Sequence, residues 1–232
     1  MNNKIIVGSG QLAKCFMKTS LNHVVVFASG VSSSKCVDIE EFQREEDLLF
    51  KHLKLIKDKK FIYFSSCALS VNDYELNDYY KHKKNMENLI KKYFDNYYIF
   101  RLPQLIGDLT KHTTLISFLY NSIIDEEKFN VFHKGYRYVI EIEDVRKIVE
   151  SYLVNKQSCI TIDIANPCRY RVLKIVNILE SLLRKKAIYE VVSKEDMYDL
   201  DLSSILLFIE EHKIDIDFGE DYLEYKLEEK IF

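Results

Sequence analysis

Tyr79 and Lys83 are the residues of this chain whose types and spacing are best suited to chemistry. They are four positions apart, so on a helix they share one face. A lysine ammonium beside a phenol favours the phenolate and lowers a pKa that starts near ~10. Ser66, which follows the apolar run Phe61–Phe64, places a hydroxyl at the end of a predicted strand. Together the three side chains predict proton transfer in a carbonyl/alcohol interconversion.

The spacing occurs twice, because Tyr80 and Lys84 repeat it one residue further along a chain with 16 tyrosines. Helical geometry separates the two pairs. The stripe of Tyr79 and Lys83 also carries Met86 and Ile90, and we predict that it faces inward. The stripe of the second pair carries Tyr80, Lys84, Glu87 and Lys91, and we predict that it is solvated. A buried tyrosine beside a lysine that extends its ammonium to solvent remains an alternative interpretation of the first pair.

Length and composition exclude several classes of protein. The chain has 232 residues, 47% of them hydrophobic, and a net charge of −3, with a pI of about 6.1. It is long enough for a substantial core and has no basic patch that predicts nucleic-acid binding. No apolar run approaches the ~18 residues of a membrane span, and the polar start predicts no signal peptide. The five cysteines lack metal-type spacing, so we expect a cytoplasmic protein with reduced thiols and no metal.

A glycine turn follows the first predicted strand. The run Lys4–Val7 leads into Gly8, Gly10 and Ala13, and an apolar-periodic segment comes next. Glycines allow a tight turn and the close approach of a pyrophosphate to the backbone. The order strand, turn, helix therefore predicts a nucleotide-binding element.

The next segment is short for a dinucleotide-binding unit. His23–Phe27 is a predicted strand, but no acidic residue occurs before Asp38, whereas such units place one about 20 residues after the glycines to bind the adenosine ribose. One amphipathic helix, from about Ile39 to Lys57, takes up most of the chain before Phe61. We therefore predict that two strands of the first half are deleted or much reduced.

The block from Phe61 to Glu87 resembles the active-site block of the extended short-chain dehydrogenase/reductases, the NAD-dependent epimerase/dehydratase family. The resemblance implies that Ser66 is the catalytic hydroxyl, Tyr79 the acid/base, and Lys83 the residue that binds ribose and lowers the Tyr79 pKa. It also implies NAD or NADP as cofactor. The cofactor-binding residues that it implies are Gly8, Gly10, Gln11, Leu12, Ala28, Ser29, Gly30, Lys83 and Leu102.

Two further blocks resemble the substrate side of the same family. Arg101 and Gly107 match an element that borders the nicotinamide and the substrate, although an ion pair at a strand end explains Arg101 equally well. Arg137 matches an arginine that holds the diphosphate of a nucleotide-sugar, a role suited to guanidinium. Asp144 is expected to cap the following helix. Cys67 is a candidate substrate contact, with packing as the alternative.

These patterns predict an α/β fold, a Rossmann-like doubly wound parallel sheet with a reduced first half and a small C-terminal α/β substrate lobe. We expect a single domain over 1–232, with the lobe formed mainly by about 108–144 and 167–232. The resemblance implies an NAD(P)-dependent oxidoreductase or epimerase acting on a nucleotide-activated sugar, with a 4-keto-sugar reductase of surface-polysaccharide precursor synthesis as first choice. A non-catalytic or regulatory nucleotide-binding protein is the alternative. We expect no nucleic-acid or membrane partner, and leave a homodimer open.

Overall fold

The computed structural model describes residues 4–31, 33–53, 59–71, 74–110 and 114–232. Its main sheet has five parallel strands in the order β1-β2-β3-β4-β8. They are β1 (Ile5–Val7), β2 (Val24–Phe27), β3 (Lys60–Ser66), β4 (Tyr97–Leu102) and β8 (Ile160–Asp163). Parallel strands need crossover connections, and helices provide most of them. Within the described ranges no helix is both long and apolar enough to cross a membrane.

Helices cover both faces of this sheet, because its strands are apolar on both sides. One face, which includes Ile62 and Phe100, packs against α5 (Ile142–Asn155) and α7 (Ser203–Glu211). The other face packs against α2 (Ile39–Leu53) and α3 (Asp78–Tyr93), and Tyr63, Leu49 and Met86 meet there without solvent exposure. Each such buried side chain contributes roughly 1.5–3 kcal/mol. The doubly wound α/β fold is confirmed.

A second core lies beside the carboxyl ends of the strands. It is built from α4 (Leu115–Ile124), α6 (Val172–Leu183) and α8 (Tyr222–Ile231). Its strands are β5 (Gln104–Ile106), β6 (Phe129–Arg137), β7 (Val139–Glu141), β9 (Tyr170–Arg171) and β10 (Tyr189–Asp196). They form two small sheets, β5-β7 and β10-β6-β9. Most of these elements fall within the ranges expected for the lobe, about 108–144 and 167–232, although β5 precedes them and α7, inside them, packs on the main sheet. The bounds of the lobe stay a prediction.

The first half of the sheet is reduced, as the sequence predicts. Strand β1 pairs only with β2 among the described strands and so forms an edge of the sheet. Helix α1 (Gln11–Phe16) returns to β2 through residues 17–23, which contain no strand. In the doubly wound order 3-2-1-4-5-6, two strands lie beyond the first one. The described residues contain neither of those two strands beyond β1.

Several predicted boundaries change. The helix expected to reach Lys57 ends at Leu53 as described, and Lys57 lies outside the described residues. Helix α5 is capped by Glu141, whose carboxylate accepts hydrogen bonds from the Glu143 and Asp144 amides at 2.7 and 3.2 Å. The expectation that Asp144 is the cap is therefore wrong. The Asp144 carboxylate instead accepts from the Tyr222 hydroxyl at 2.8 Å and so ties α5 to α8.

Candidate functional site

The predicted catalytic residues lie where β3 ends and α3 begins. Ser66 is the last residue of β3 and accepts a long hydrogen bond from the Ala68 amide at 3.4 Å. Helix α3 begins after Asn77, whose side chain caps it by accepting from the Tyr80 amide at 3.0 Å. This cap sets the start of the helix, so that Tyr79 lies in its first turn and Lys83 one turn later.

A buried carboxylate, which the sequence analysis missed, binds Lys83. Glu45 of α2 has no solvent exposure, and its Oε1 accepts from Lys83 Nζ at 3.0 Å and from the Tyr63 hydroxyl at 2.8 Å. Its Oε2 accepts from His82 Nε2 at 3.1 Å and from the Val31 amide at 2.8 Å. Lys83 also donates to the Tyr63 hydroxyl at 3.0 Å. We call Glu45, Lys83, His82 and Tyr63 the Glu45 network.

The Glu45 network changes the electrostatics of the predicted proton donor. Burial alone raises the pKa of Glu45, but the Lys83 charge and the hydrogen bonds from His82, Val31 and Tyr63 outweigh it and lower that pKa to about 2. The Lys83 ammonium is thus paired with an ionised carboxylate. Burial, and then the negative charge of Glu45, raise the pKa of Tyr79. The expectation that Lys83 lowers the pKa of Tyr79 is therefore wrong.

Lys83 is itself buried, with 3% of its surface exposed. An ammonium has three N–H groups, and in the described part of the chain two of them have acceptors, on Glu45 and Tyr63. Its nitrogen lies 5.9 Å from the centre of the Tyr79 ring. The backbone of Gly30 covers it closely, because a Cβ on Gly30 would lie 2.4 Å from Lys83 Nζ.

Tyr80 is half-buried, whereas the sequence analysis predicts that it is solvated. Its ring packs edge-on against Tyr74 at 5.6 Å and against Tyr79 at 5.2 Å. Tyr74 in turn contacts Tyr198 and donates to Asp196 at 3.0 Å, so Tyr80 belongs to an aromatic cluster shared with the lobe. Burial raises the pKa of Tyr80. Of the other residues on its stripe, Lys84 and Lys91 are exposed but Glu87 is fully buried.

Arg101 binds the buried Glu87. Its guanidinium donates to the two Glu87 oxygens at 2.8 and 2.7 Å and to the Ser70 hydroxyl at 2.9 Å. Ser70 donates to Asp163 at 2.6 Å. The arrangement is the ion pair that the sequence left open as an alternative, and it joins α3, β4 and β8 at the carboxyl end of the sheet.

Cys67 is fully buried, and its thiol donates to the Arg101 carbonyl at 3.2 Å. Burial raises the pKa of this thiol well above its usual range, and the nearby Asp163 raises it further. A neutral thiol without solvent exposure favours the packing interpretation over substrate contact.

Arg137 lies at the junction of β6 and β10, where it binds the side chain of Asp196 and, at 2.9 Å, the carbonyl of the same residue. Its side chain keeps 16% of its surface exposed. A diphosphate that bound Arg137 would therefore compete with the Asp196 carboxylate.

The glycine turn packs tightly against the loop after β2. Gly8 has a φ of 124°, and a Cβ there would lie 2.4 Å from the Ala28 carbonyl oxygen. Gly10 differs, since a Cβ there would meet nothing within 4 Å. The side chain of Gln11 binds the Asp108 backbone, accepting from its amide at 2.6 Å and donating to its carbonyl at 3.1 Å.

The remaining predicted cofactor residues lie in α1, in the loop after β2 and at the end of β4. Ser29 accepts from Arg44 at its hydroxyl and its carbonyl, at 3.3 and 3.4 Å. Leu12 is partly buried against the main core, and Leu102 is buried in it at the end of β4. The structure thus brings the predicted residues to the carboxyl ends of the parallel strands. Their contacts with a ligand stay predictions.

The Glu45 network had a signal in the sequence. Glu45 lies three residues after Phe42 and four before Leu49, so it shares the apolar face of α2. A carboxylate on such a face needs a buried partner. His82 and Lys83 are adjacent on α3, and both turn out to be that partner.

Comparisons with known proteins agree on the fold. No known family profile matches the chain, and no curated protein matches its sequence. Solved structures do match. RMD from Pseudomonas aeruginosa, complexed with NADPH, is 11% identical with a TM-score of 0.71, over 97% of this chain and 88% of that one.

Two epimerases are also similar. The UDP-glucuronic acid 4-epimerase from Bacillus cereus, in complex with UDP-glucuronic acid and NAD, is 18% identical with a TM-score of 0.70, over 96% of this chain and 78% of that one. The UDP-N-acetylglucosamine 4-epimerase from Methanobrevibacter ruminantium M1, in complex with UDP-N-acetylmuramic acid, is 18% identical with a TM-score of 0.66, over 96% and 80%. The chain thus shares the Rossmann-like α/β fold of these three structures, which confirms the predicted fold class.

We expect the Glu45 network to stabilise the folded protein in a pH-dependent manner. We expect Glu45→Gln to lower the free energy of unfolding by roughly 3–5 kcal/mol at neutral pH, because it leaves a buried ammonium without its counter-charge. Since the folded-state pKa of Glu45 is lowered from 4.5 to about 2, its stabilisation is present above pH ~4.5 and is lost as the pH falls towards 2. The difference between wild type and variant should therefore shrink in acid.

Urea unfolding of both proteins between pH 3 and pH 7 measures this difference. Glu41→Gln is the matched control, because Glu41 lies on the same helix with 48% of its side chain exposed. It should change stability by less than about 0.5 kcal/mol. Equal effects of the two substitutions would contradict the buried ion pair.

Proposed function

We propose that the protein is an NAD(P)-dependent oxidoreductase acting on a nucleotide-activated sugar and, within that class, a 4-keto-sugar reductase that serves surface-polysaccharide precursor synthesis. The shared fold supports the general class, since similar structures are sugar-nucleotide epimerases and RMD bound to NADPH. The position of Ser66, Tyr79 and Lys83 at the carboxyl edge of a parallel sheet supports it further, because ligands of such folds bind at that edge.

The residues present fit a nicotinamide cofactor on its phosphate side. The turn at Gly8 needs a backbone conformation that other residues rarely adopt, and the space beside Gly10 is open for close approach. Gly8 and Gly10 would hold the phosphate. Lys83 keeps one N–H for a ribose hydroxyl, but its nitrogen lies beneath the Gly30 backbone, so its contact with the ribose stays a prediction. When bound, the cofactor supplies the hydride.

The observation that carries the choice of reduction is the pairing of Lys83 with Glu45 at 3.0 Å. A lysine whose charge is balanced by Glu45 does not stabilise a phenolate on Tyr79. Burial also raises the pKa of that phenol. Tyr79 is then protonated at neutral pH and suits the donation of a proton to a carbonyl oxygen. Epimerisation and dehydration begin instead with the oxidation of a hydroxyl group. That step needs a base that removes the hydroxyl proton. Ser66 would orient the carbonyl oxygen.

A non-catalytic nucleotide-binding protein is the second candidate. The edge position of β1 favours it, because a sheet without two of its strands offers less surface to a dinucleotide. Denaturing the purified protein and analysing the released small molecules by mass spectrometry distinguishes the candidates. A retained nucleoside diphosphate without any nicotinamide compound would favour the second.

The two neighbouring tyrosines provide a matched test of the active site. We expect Tyr79→Phe to lower turnover of a UDP- or dTDP-linked 4-keto-sugar by roughly 10²–10⁴-fold, because it removes the proton donor with almost no change in volume. Tyr80→Phe should stay within a few-fold of wild type. NADPH oxidation followed by absorbance measures the rates, and thermal melts check folding. Full activity of Tyr79→Phe, or an equal loss in Tyr80→Phe, would contradict the assignment.

A second pair of variants tests Arg137 as the ligand of the diphosphate. Arg137→Ala should weaken binding of UDP, whereas Asp196→Asn should strengthen it, because it removes the carboxylate that competes for the guanidinium. Binding of NADH should be unchanged in both. Isothermal titration calorimetry measures the UDP and NADH affinities of the wild type and of both variants. If both variants weaken UDP and NADH binding alike, Arg137 is structural.

A further inference from the structure

We infer that this protein recognises its cofactor through the nicotinamide and its adjoining phosphate alone, so that NADH, NADPH and reduced nicotinamide mononucleotide bind almost equally well. The inference rests on the proposed function and adds to it the part of the cofactor that the protein reads.

The edge of the main sheet carries the inference. Strand β1 pairs with β2 on one side, and in the described part of the chain no strand pairs with it on the other. A dinucleotide lies across the point where the strand order reverses, with one mononucleotide over each half of the sheet. Among the described residues the sheet ends at that point. The adenosine half of a dinucleotide would extend beyond β1, where the described chain has no second half of a sheet.

The connection that should supply the adenosine contacts is also too short. Residues 17–23 run from α1 directly into β2, without the strand whose end would present an acidic residue to the adenosine ribose. The sequence has no Asp or Glu before Asp38. The common means of preferring NAD over NADP is therefore missing.

The arginine that contacts the loop after β2 is already engaged. Arg44 donates to Ser29 at 3.3 Å and to Glu41 Oε2 at 3.0 Å, and it lies on α2 rather than beyond β1. An arginine that recognised the 2′-phosphate of NADP would have to be free for bidentate contact. We therefore expect Arg44 to contribute no preference for NADPH.

The part of the site that would bind the nicotinamide, its ribose and the adjoining phosphate is by contrast retained. The turn at Gly8 packs against the Ala28 carbonyl, and the loop after β2 continues over Lys83 through Gly30. Gly8 follows β1, Ala28 and Gly30 follow β2, and Lys83 lies on α3, all on the preserved side of the sheet. They would face the phosphate, ribose and nicotinamide, which the three reduced compounds share.

Calorimetric titration of the full chain with NADH, NADPH, reduced nicotinamide mononucleotide and AMP tests this inference. We expect the first three dissociation constants to agree within about threefold and AMP to show no binding. A tenfold preference for NADH over the mononucleotide, which corresponds to about 1.4 kcal/mol, would overturn the inference but leave the proposed function intact. A tenfold difference between NADH and NADPH would also overturn it. No binding of any nicotinamide compound would overturn both.

Two variants sharpen the test. Gly10→Ala should fold, because its Cβ meets nothing within 4 Å. It should lower the binding affinity of all three compounds by a similar factor, since they share the phosphate at this turn. Arg44→Ala should leave the ratio of NADPH to NADH affinity unchanged. If Gly10→Ala weakens only the dinucleotides, or if Arg44→Ala lowers NADPH affinity alone, the adenosine half is being recognised and the inference is wrong.

Discussion

The buried carboxylate of Glu45 accepts from four donors, and they come from two other elements and a loop. Lys83 and His82 belong to α3, Tyr63 to β3 and the Val31 amide to the loop after β2. A buried charge is tolerated only when it is paired and hydrogen-bonded, so these elements must keep their relative positions. The Glu45 network therefore helps to fix the register of α3 on the sheet, and with it the position of Tyr79, together with the Arg101–Glu87 pair.

The same constraint sets the chemistry available to the site. A free lysine beside Tyr79 would favour a phenolate and hence proton removal, whereas a lysine paired with Glu45 leaves the phenol protonated. The shortened sheet acts separately, because it limits how much of a nucleotide the fold can contact. Together the two features connect the interior packing to a proposed direction of reaction and to a proposed mode of cofactor binding.

Much of this arrangement could be predicted from local patterns. The apolar run before Ser66, the glycine turn at Gly8 and the lack of room for two strands before β3 are all readable along the chain, and the structure confirms the fold that they predict. What local patterns could not supply are partners distant in sequence. Glu45 meets Lys83 across 38 positions and Tyr74 meets Asp196 across 122. The prediction that Tyr80 is solvated fails for this reason, since Tyr74 packs on its ring and links it to Tyr198, far along the chain.

The protonation state of Tyr79 in the folded protein is the central claim, and one measurement addresses it without substrate or cofactor. Ultraviolet titration of wild type and Tyr79→Phe records phenolate formation as the pH rises, and the difference between the curves belongs to Tyr79. The account predicts no difference below about pH 10, the usual pKa of a tyrosine, because burial and Glu45 raise the pKa of this phenol. A phenolate that forms below that pH in the wild type and is absent in the variant would contradict it.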